Sequence, residues 1–291
     1  MAGQSPFHGA CWYGLLRGLW IGGVAPVTEV AVCGQHGAGW STDMLLIRIL
    51  RAPWRVLRVL VHVLHGWWLV WRHAGSLSEA EMAQTVQRWS ATLLRCMGIT
   101  VQVEGTPPAA GPMLLVSNHI SWLDIPVVHA ARPCRFVAKA GIRHWPLVGT
   151  MANGAGTLYI ERESRRDALR VVHQMADALR NGDIVAVFPE GTTGDGRTML
   201  PFHANLLQAA LVTNQPAQPM ALRFIDTATG QTSFAPSFVG DETLLGSVWR
   251  TLVAPPITAI VRFGEPQRSG GRERREWAGA LQDEVRGLWQ E

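Results

Sequence analysis

Lysine is almost missing from this chain. Lys139 is the only one among 26 basic residues, and every other is arginine. In a sequence that has moved so far toward arginine, the retained lysine is a candidate for a chemical role. Charge of both signs is also sparse, at 16% of residues with a formal net charge of +4. That is too little for the dense basic surface of a nucleic-acid binder, so nucleic acid is excluded as a partner. The four cysteines, Cys11, Cys33, Cys96 and Cys134, lie far apart with no CxxC pair. This excludes a disulfide framework and a cysteine zinc site, and fits reduced thiols in a reducing compartment. No HxxxH or HExxH spacing organises the histidines, so neither a metal nor another bound cofactor is expected.

Long apolar runs are missing too. In the stretch from Met44 to Trp71 the longest uncharged run is Val59 to Trp71, short of the ~20 residues that span a bilayer. The same stretch is nevertheless rich in Leu, Val and Trp. Arg48, Arg51, Arg55, Arg58, His62 and His65 recur at steps of three and four, so on a helix they share an arc of about 100°. A helix lying in a membrane interface is expected, with its arginines toward anionic head groups and Trp67, Trp68 and Trp71 at the water boundary. Pro53 should kink it or mark a restart. Before it, residues 1–43 carry Gly, Val and Trp without a clear period, and Arg17 is their only arginine. They match a signal peptide poorly; the natural start is expected at Met44, where the coherent pattern begins.

What is abundant is apolar residues, at 47%, enough for a sizeable core. A helix is predicted from about Ser78 to Met97, with a Ser cap, Glu81 three residues on, and Gly98 as the stop. After it strands and helices alternate. The runs MLLVS, RFVA, GTLYI, DIVAVF, PMALRF and TAIVRF read as strands, and Arg165–Arg180, Asn205–Thr213 and Glu273–Gln290 as helices. The expected class is α/β, a mostly parallel central sheet flanked by helices. The expected organisation is an extension (1–43), a helical membrane-associating segment (44–98) and an α/β domain (99–291).

In open α/β sheets the site lies at the carboxyl ends of the strands. There the sequence places NHISWLD after LLVS, Lys139 after RFVA, ER after GTLYI and PEGTTGDG after IVAVF. His119 and Asp124 would stand about 140° apart on one straight helix. Pro126 requires a helix start near Ser121 to Ile125, which leaves His119 in the loop before it. The loop can then fold so that the carboxylate meets one imidazole nitrogen while the other faces the cleft, the arrangement of a general base. SWLD also matches a capping box, in which Asp124 would only cap a helix.

NHISWLD resembles the NHxxxxD motif of the glycerolipid acyltransferases, the family of bacterial 1-acylglycerol-3-phosphate acyltransferases. GTLYIER, FPEGT and QPAQPMAL resemble that family's further blocks, in its order, over roughly residues 90 to 265. The resemblance implies acyl transfer from acyl-CoA or acyl carrier protein to the hydroxyl of a lysolipid, most directly 1-acylglycerol-3-phosphate. His119 is then the base, oriented by Asp124. Arg162, Glu190, Gly191 and Thr192 are implied to hold the acceptor head group, and Lys139 to stabilise the thioester oxyanion. The chain departs from the pattern after EGT, where many members carry arginine and this one has Thr193, followed by GDGR. Either Arg197 replaces that arginine or the head group differs, and the segment also resembles the branch that includes lyso-ornithine lipid acyltransferases. A non-catalytic lipid-binding module and an acyl thioester hydrolase are the alternative readings. The implied location is the cytoplasmic face of the inner membrane, as a peripheral, monotopic protein.

Overall fold

The structure, a computed structural model, describes residues 42–73, 76–160 and 165–291. Residues 1–41 and Arg162 lie outside them, and with them the expectations about Met44 as a start and about Arg162. The described residues belong to one compact unit, Ser41–Glu291.

Its centre is a seven-stranded sheet, β1 (Ile99–Glu104), β2 (Met113–Ser117), β3 (Arg135–Lys139), β4 (Leu158–Ile160), β5 (Ile184–Val187), β6 (Ala217–Asp226) and β7 (Ile257–Phe263), in the order β1-β7-β6-β2-β5-β3-β4. All neighbours are parallel except β6 and β7. The expected mostly parallel sheet is therefore present, with one antiparallel pair. β2 and β5 sit inside the sheet and are buried along their whole length, as their unbroken apolar runs require of parallel strands covered on both faces. The six strands expected from sequence are all there. β1 has no such run; its polar Gln102 and Glu104 suit an edge strand exposed on one side.

Alternation along β2 divides the core. Met113 and Leu115 face one side, with α2 (Glu79–Met97), α3 (Asp124–Ala131) and the end of α7 (Leu244–Val253). Leu114 and Val116 face the other, with α5 (Arg165–Arg180), α6 (Gln208–Thr213) and α8 (Arg274–Gln290). α4 (Val148–Gly154) leads from β3 toward β4. α2 has the expected capping box between Ser78 and Glu81 and ends on Gly98 in the left-handed region.

α1 (Thr42–Arg72) packs on the α2 side through Val56, Val59 and Val63. It runs as one helix through Pro53, which is exposed, so neither a break nor a restart occurs there. Gly66 lies against the Trp89 indole, where any β-carbon would be about 2.2 Å from Nε1. Its basic arc does not all face outward. Arg55 donates to the carbonyl of Leu252 at 2.7 Å. His62 bonds to the carbonyl of Trp89 at 2.9 Å and stacks on that indole. Exposed beside Arg58 and His65 are Trp54, Leu57, Leu60, Val61, Leu64, Trp68 and Trp71, each about half exposed or more. Of the polar arc, Arg55 and His62 turn onto the protein while Arg58 and His65 are exposed, and an apolar stripe faces away from the core. Among the described residues no helix is long and apolar enough to cross a membrane.

Candidate active site

β2 ends at Ser117 and delivers Asn118 and His119 to the carboxyl edge of the sheet. Asn118 is buried and grips β6, accepting from the amide of Leu222 at 2.8 Å and donating to its carbonyl at 3.0 Å. The next residue is thereby held at the strand end. His119 directs Nδ1 at Asp124 Oδ2, 2.7 Å away. The same oxygen accepts the amides of Ile120 at 2.6 Å and Ser121 at 2.9 Å. Asp124 is completely buried, and its Oδ2 takes all three of these contacts. The capping box read in SWLD does not form, since α3 begins at Asp124 with no side-chain cap. Asp124 bonds to the Ser121 amide as a capping acid would, while the Ser121 hydroxyl donates to the Pro236 carbonyl instead.

A carboxylate can only accept, so Nδ1 holds the imidazole proton and Nε2 keeps a lone pair. Among the described residues Nε2 makes no hydrogen bond, and the side chain is 19% exposed. The ring lies flat on Phe188, centroids 4.1 Å apart and planes 6° from parallel. Phe188 in turn stacks on Phe136.

FPEGT follows β5, the neighbour of β2. Glu190 is buried, and both its oxygens bind backbone: Oε1 accepts the His119 amide at 2.7 Å and Oε2 the Leu200 amide at 2.8 Å. Desolvation raises its pKa above the ordinary value, and the two amides hold it down in part. Its carboxylate thus joins the two loops, which is a different task from the head-group contact implied by the resemblance. Gly191 turns the chain at φ 73°, a left-handed conformation that favours glycine. Thr192 is exposed on the same turn. The Thr193 hydroxyl donates to the Phe238 carbonyl. The Arg197 guanidinium lies over the Phe234 ring, 4.2 Å from its centroid.

A narrow recess beside the histidine is lined by Asn118, His119, Ile120, Glu190, Gly196, Thr198, Met199 and Trp289. The structure therefore brings together His119, Asp124 and Glu190, with Gly191 and Thr192 on the adjoining turn. Lys139 is not with them. It ends β3, which β5 separates from β2, so at ~4.8 Å per strand it stands about 10 Å to the side. It is exposed and does not line the recess, so this placement gives no support to an oxyanion role. Phe188, Asn118 and Trp289 are additions. Phe188 was visible in the FPEGT block, whereas nothing local marks Trp289, on the last turn of α8, as a neighbour of His119.

Residues 98–223 match the family model described as Acyltransferase. The chain is 37% identical to a lyso-ornithine lipid O-acyltransferase of Pseudomonas aeruginosa over 68% of this chain and 75% of the relative. The chain belongs to the acyltransferase family. A 1-acyl-sn-glycerol-3-phosphate acyltransferase of Neisseria meningitidis is 36% identical over 59% of this chain and 67% of its own length. Among solved structures, a 1-acyl-sn-glycerophosphate acyltransferase from Thermotoga maritima superposes with a TM-score of 0.64, over 85% of this chain and 97% of that one, at 19% identity. That likeness speaks for the fold. As a member of the family the chain is an O-acyltransferase enzyme, and the acyltransferase match spans the histidine, the aspartate and the FPEGT turn.

Proposed function

We propose that this acyltransferase moves an acyl chain from an acyl thioester to the hydroxyl of a lysolipid, with His119 as general base. The observation that carries the reading is the 2.7 Å bond from Nδ1 to the buried Asp124, which leaves Nε2 available at the recess. Nε2 takes the proton of the acceptor hydroxyl as its oxygen attacks the thioester carbonyl. The new C–O bond forms, the C–S bond breaks, and the leaving thiolate recovers the proton from the imidazolium. Asp124 stabilises that imidazolium, and Phe188 keeps its plane. Glu190 is a positioning residue that sets the backbone of His119. Gly191, Thr192 and Arg162 remain the proposed contacts for the acceptor head group.

Between the two acceptors named by the relatives, the site's own residues favour lyso-ornithine lipid. A phosphate monoester calls for cations, yet among the described residues the recess lining has no lysine or arginine, and Thr193 directs its hydroxyl to the backbone. A lyso-ornithine head group carries an amine beside its carboxylate and needs less positive charge. The second reading, 1-acylglycerol-3-phosphate, has Arg197 in its favour, since Gly196 and Thr198 on either side of it both line the recess. The outward apolar stripe of α1 supports a peripheral membrane attachment, proposed at the cytoplasmic face.

The test is transfer by purified protein to a panel of lyso-ornithine lipid, 1-acylglycerol-3-phosphate and other lysophospholipids, read by product mass. His119→Ala is expected to abolish transfer to every acceptor. Near-normal transfer by that variant would overturn the mechanism, and acyl thioester hydrolysis at an equal rate without acceptor would favour a hydrolase.

A further inference from the structure

A second concavity lies outside the recess. It encloses about 390 Å³ and is lined in part by His203, Asn205, Arg274, Arg275, Gly279 and Gln282. Among the described residues no acidic side chain lines it. Arg275 is exposed and, among the described residues, has no ion-pair partner. Among the described residues Arg274 bonds to the amide oxygen of Gln208, at 3.3 Å. Two guanidinium groups beside a histidine and two side-chain amides form a site for a phosphate-bearing molecule, since the fork of arginine matches phosphate oxygens.

The groove is tied to the active site along two routes. Along α8, Arg275, Ala278, Gly279, Gln282 and Trp289 fall within about 100° of one helix face. Trp289 lines the recess beside His119. At ~1.5 Å per residue the helix covers about 21 Å between Arg275 and Trp289. Through the loops, Gln282 accepts the Phe202 amide at 3.2 Å and donates to the Leu200 carbonyl at 3.1 Å. The Leu200 amide is itself held by Glu190. His203 borders the turn at Gly191, where an added β-carbon would come within 3.3 Å of the imidazole. The groove therefore stands at a fixed distance from Nε2. It also lies on the α8 side of the sheet, whereas α1 packs on the other side.

Resting on the proposed acyl transfer, we infer that this groove binds the phosphate end of the acyl donor, and that its phosphopantetheine arm runs along α8 to present the thioester at His119. The shared chemistry is a phosphopantetheine phosphodiester or pyrophosphate, which both coenzyme A and an acyl carrier protein supply. The polar groove takes the water-soluble donor, and the lipid acceptor comes from the side that carries the apolar stripe of α1.

Two substitutions test this without touching the recess. Arg275→Glu reverses one charge. Gly279→Leu fills the groove floor from a helical position where a β-carbon meets nothing within 4 Å, and an unchanged thermal midpoint checks that the fold is kept. Binding of free coenzyme A and of holo acyl carrier protein would be measured by calorimetry for the wild type and both variants, alongside steady-state kinetics with acyl-CoA and acyl carrier protein thioesters. Loss of a charge-assisted contact in Arg275→Glu, and of the space on the groove floor in Gly279→Leu, predicts weakening by about tenfold or more in each variant. The KM for the donor should rise by the same factor, with the KM for the lysolipid and kcat unmoved. Weakening confined to coenzyme A, or to the carrier protein, supports the inference and names the donor. Binding and donor KM unchanged in both variants, or no binding of either probe to the wild type, would overturn it. A wild type that binds a probe in the groove but acylates no lysolipid would instead sink the proposed reaction and leave the groove standing.

Discussion

The carboxylate of Glu190 accepts the backbone amide of His119 at 2.7 Å, so the turn after β5 sets the position of the residue after β2. Its other oxygen holds Leu200 at 2.8 Å. Three segments distant in sequence are joined by one buried side chain. Glu190→Gln can accept only one of those two amides, because its nitrogen donates. We expect about a tenfold loss in kcat with lysolipid KM little changed, read by steady-state kinetics. The pH dependence checks the same point. Burial raises the folded pKa of Glu190 above the ordinary 4.5, so the stability it contributes is present below that value and is lost as pH rises through the raised pKa. Urea midpoints of the wild type should fall relative to Glu190→Gln across that window, and parallel profiles would refute the assignment.

Asp124 supports the base electrostatically and by geometry. Asp124→Asn can keep a neutral oxygen where Oδ2 meets Nδ1 and the Ile120 and Ser121 amides, but it removes the negative charge that stabilises the imidazolium. A drop in kcat of about 10³- to 10⁴-fold is expected, with a far smaller change in thermal midpoint. A loss of activity matched by loss of fold would reduce Asp124 to a structural role.

His129, on α3, is fully buried, and among the described residues its Nδ1 has no hydrogen-bond partner. Its ring meets the edge of Phe136 at 5.0 Å. Desolvation lowers its pKa to about 4. A depressed histidine pKa means the unfolded chain binds the proton more readily, so stability falls as pH drops through 6.5 toward the folded value. The full effect is on the order of 3 kcal/mol. His129→Leu should flatten the stability profile of acid unfolding over that range. An unchanged profile would mean that another group dominates acid lability.

The apolar stripe of α1 makes a surface prediction. Leu60 and Leu64 are 56% and 52% exposed on adjacent turns. Replacing both by Glu removes roughly 1.5–3 kcal/mol of burial each if the stripe enters a lipid interface. Co-sedimentation with anionic vesicles should fall by at least about a hundredfold, with the thermal midpoint unmoved because neither side chain packs inside the protein. Equal sedimentation of the double variant would show that α1 faces something other than lipid.

Much of this enzyme is determined by local sequence. Six strands, the capping of α2 and the helix at Arg165–Arg180 follow from apolar runs, turn residues and caps, which act within a few positions. The pairing of His119 with Asp124 was legible too, because Pro126 restricts where the helix can begin. Tertiary structure decided what depends on residues meeting across the sheet. β1 gains its partner only from β7, and Lys139 stands apart because β5 intervenes between β3 and β2. Glu190 became a strut once burial placed it between two backbone amides, and Trp289 reached the recess through the packing of α8. The same holds for α1: periodicity identified two faces, but which polar residues turn onto the protein depends on Arg55 finding Leu252 and His62 finding Trp89. Local chemistry names the groups, and long-range packing sets which of them meet and which remain open to solvent.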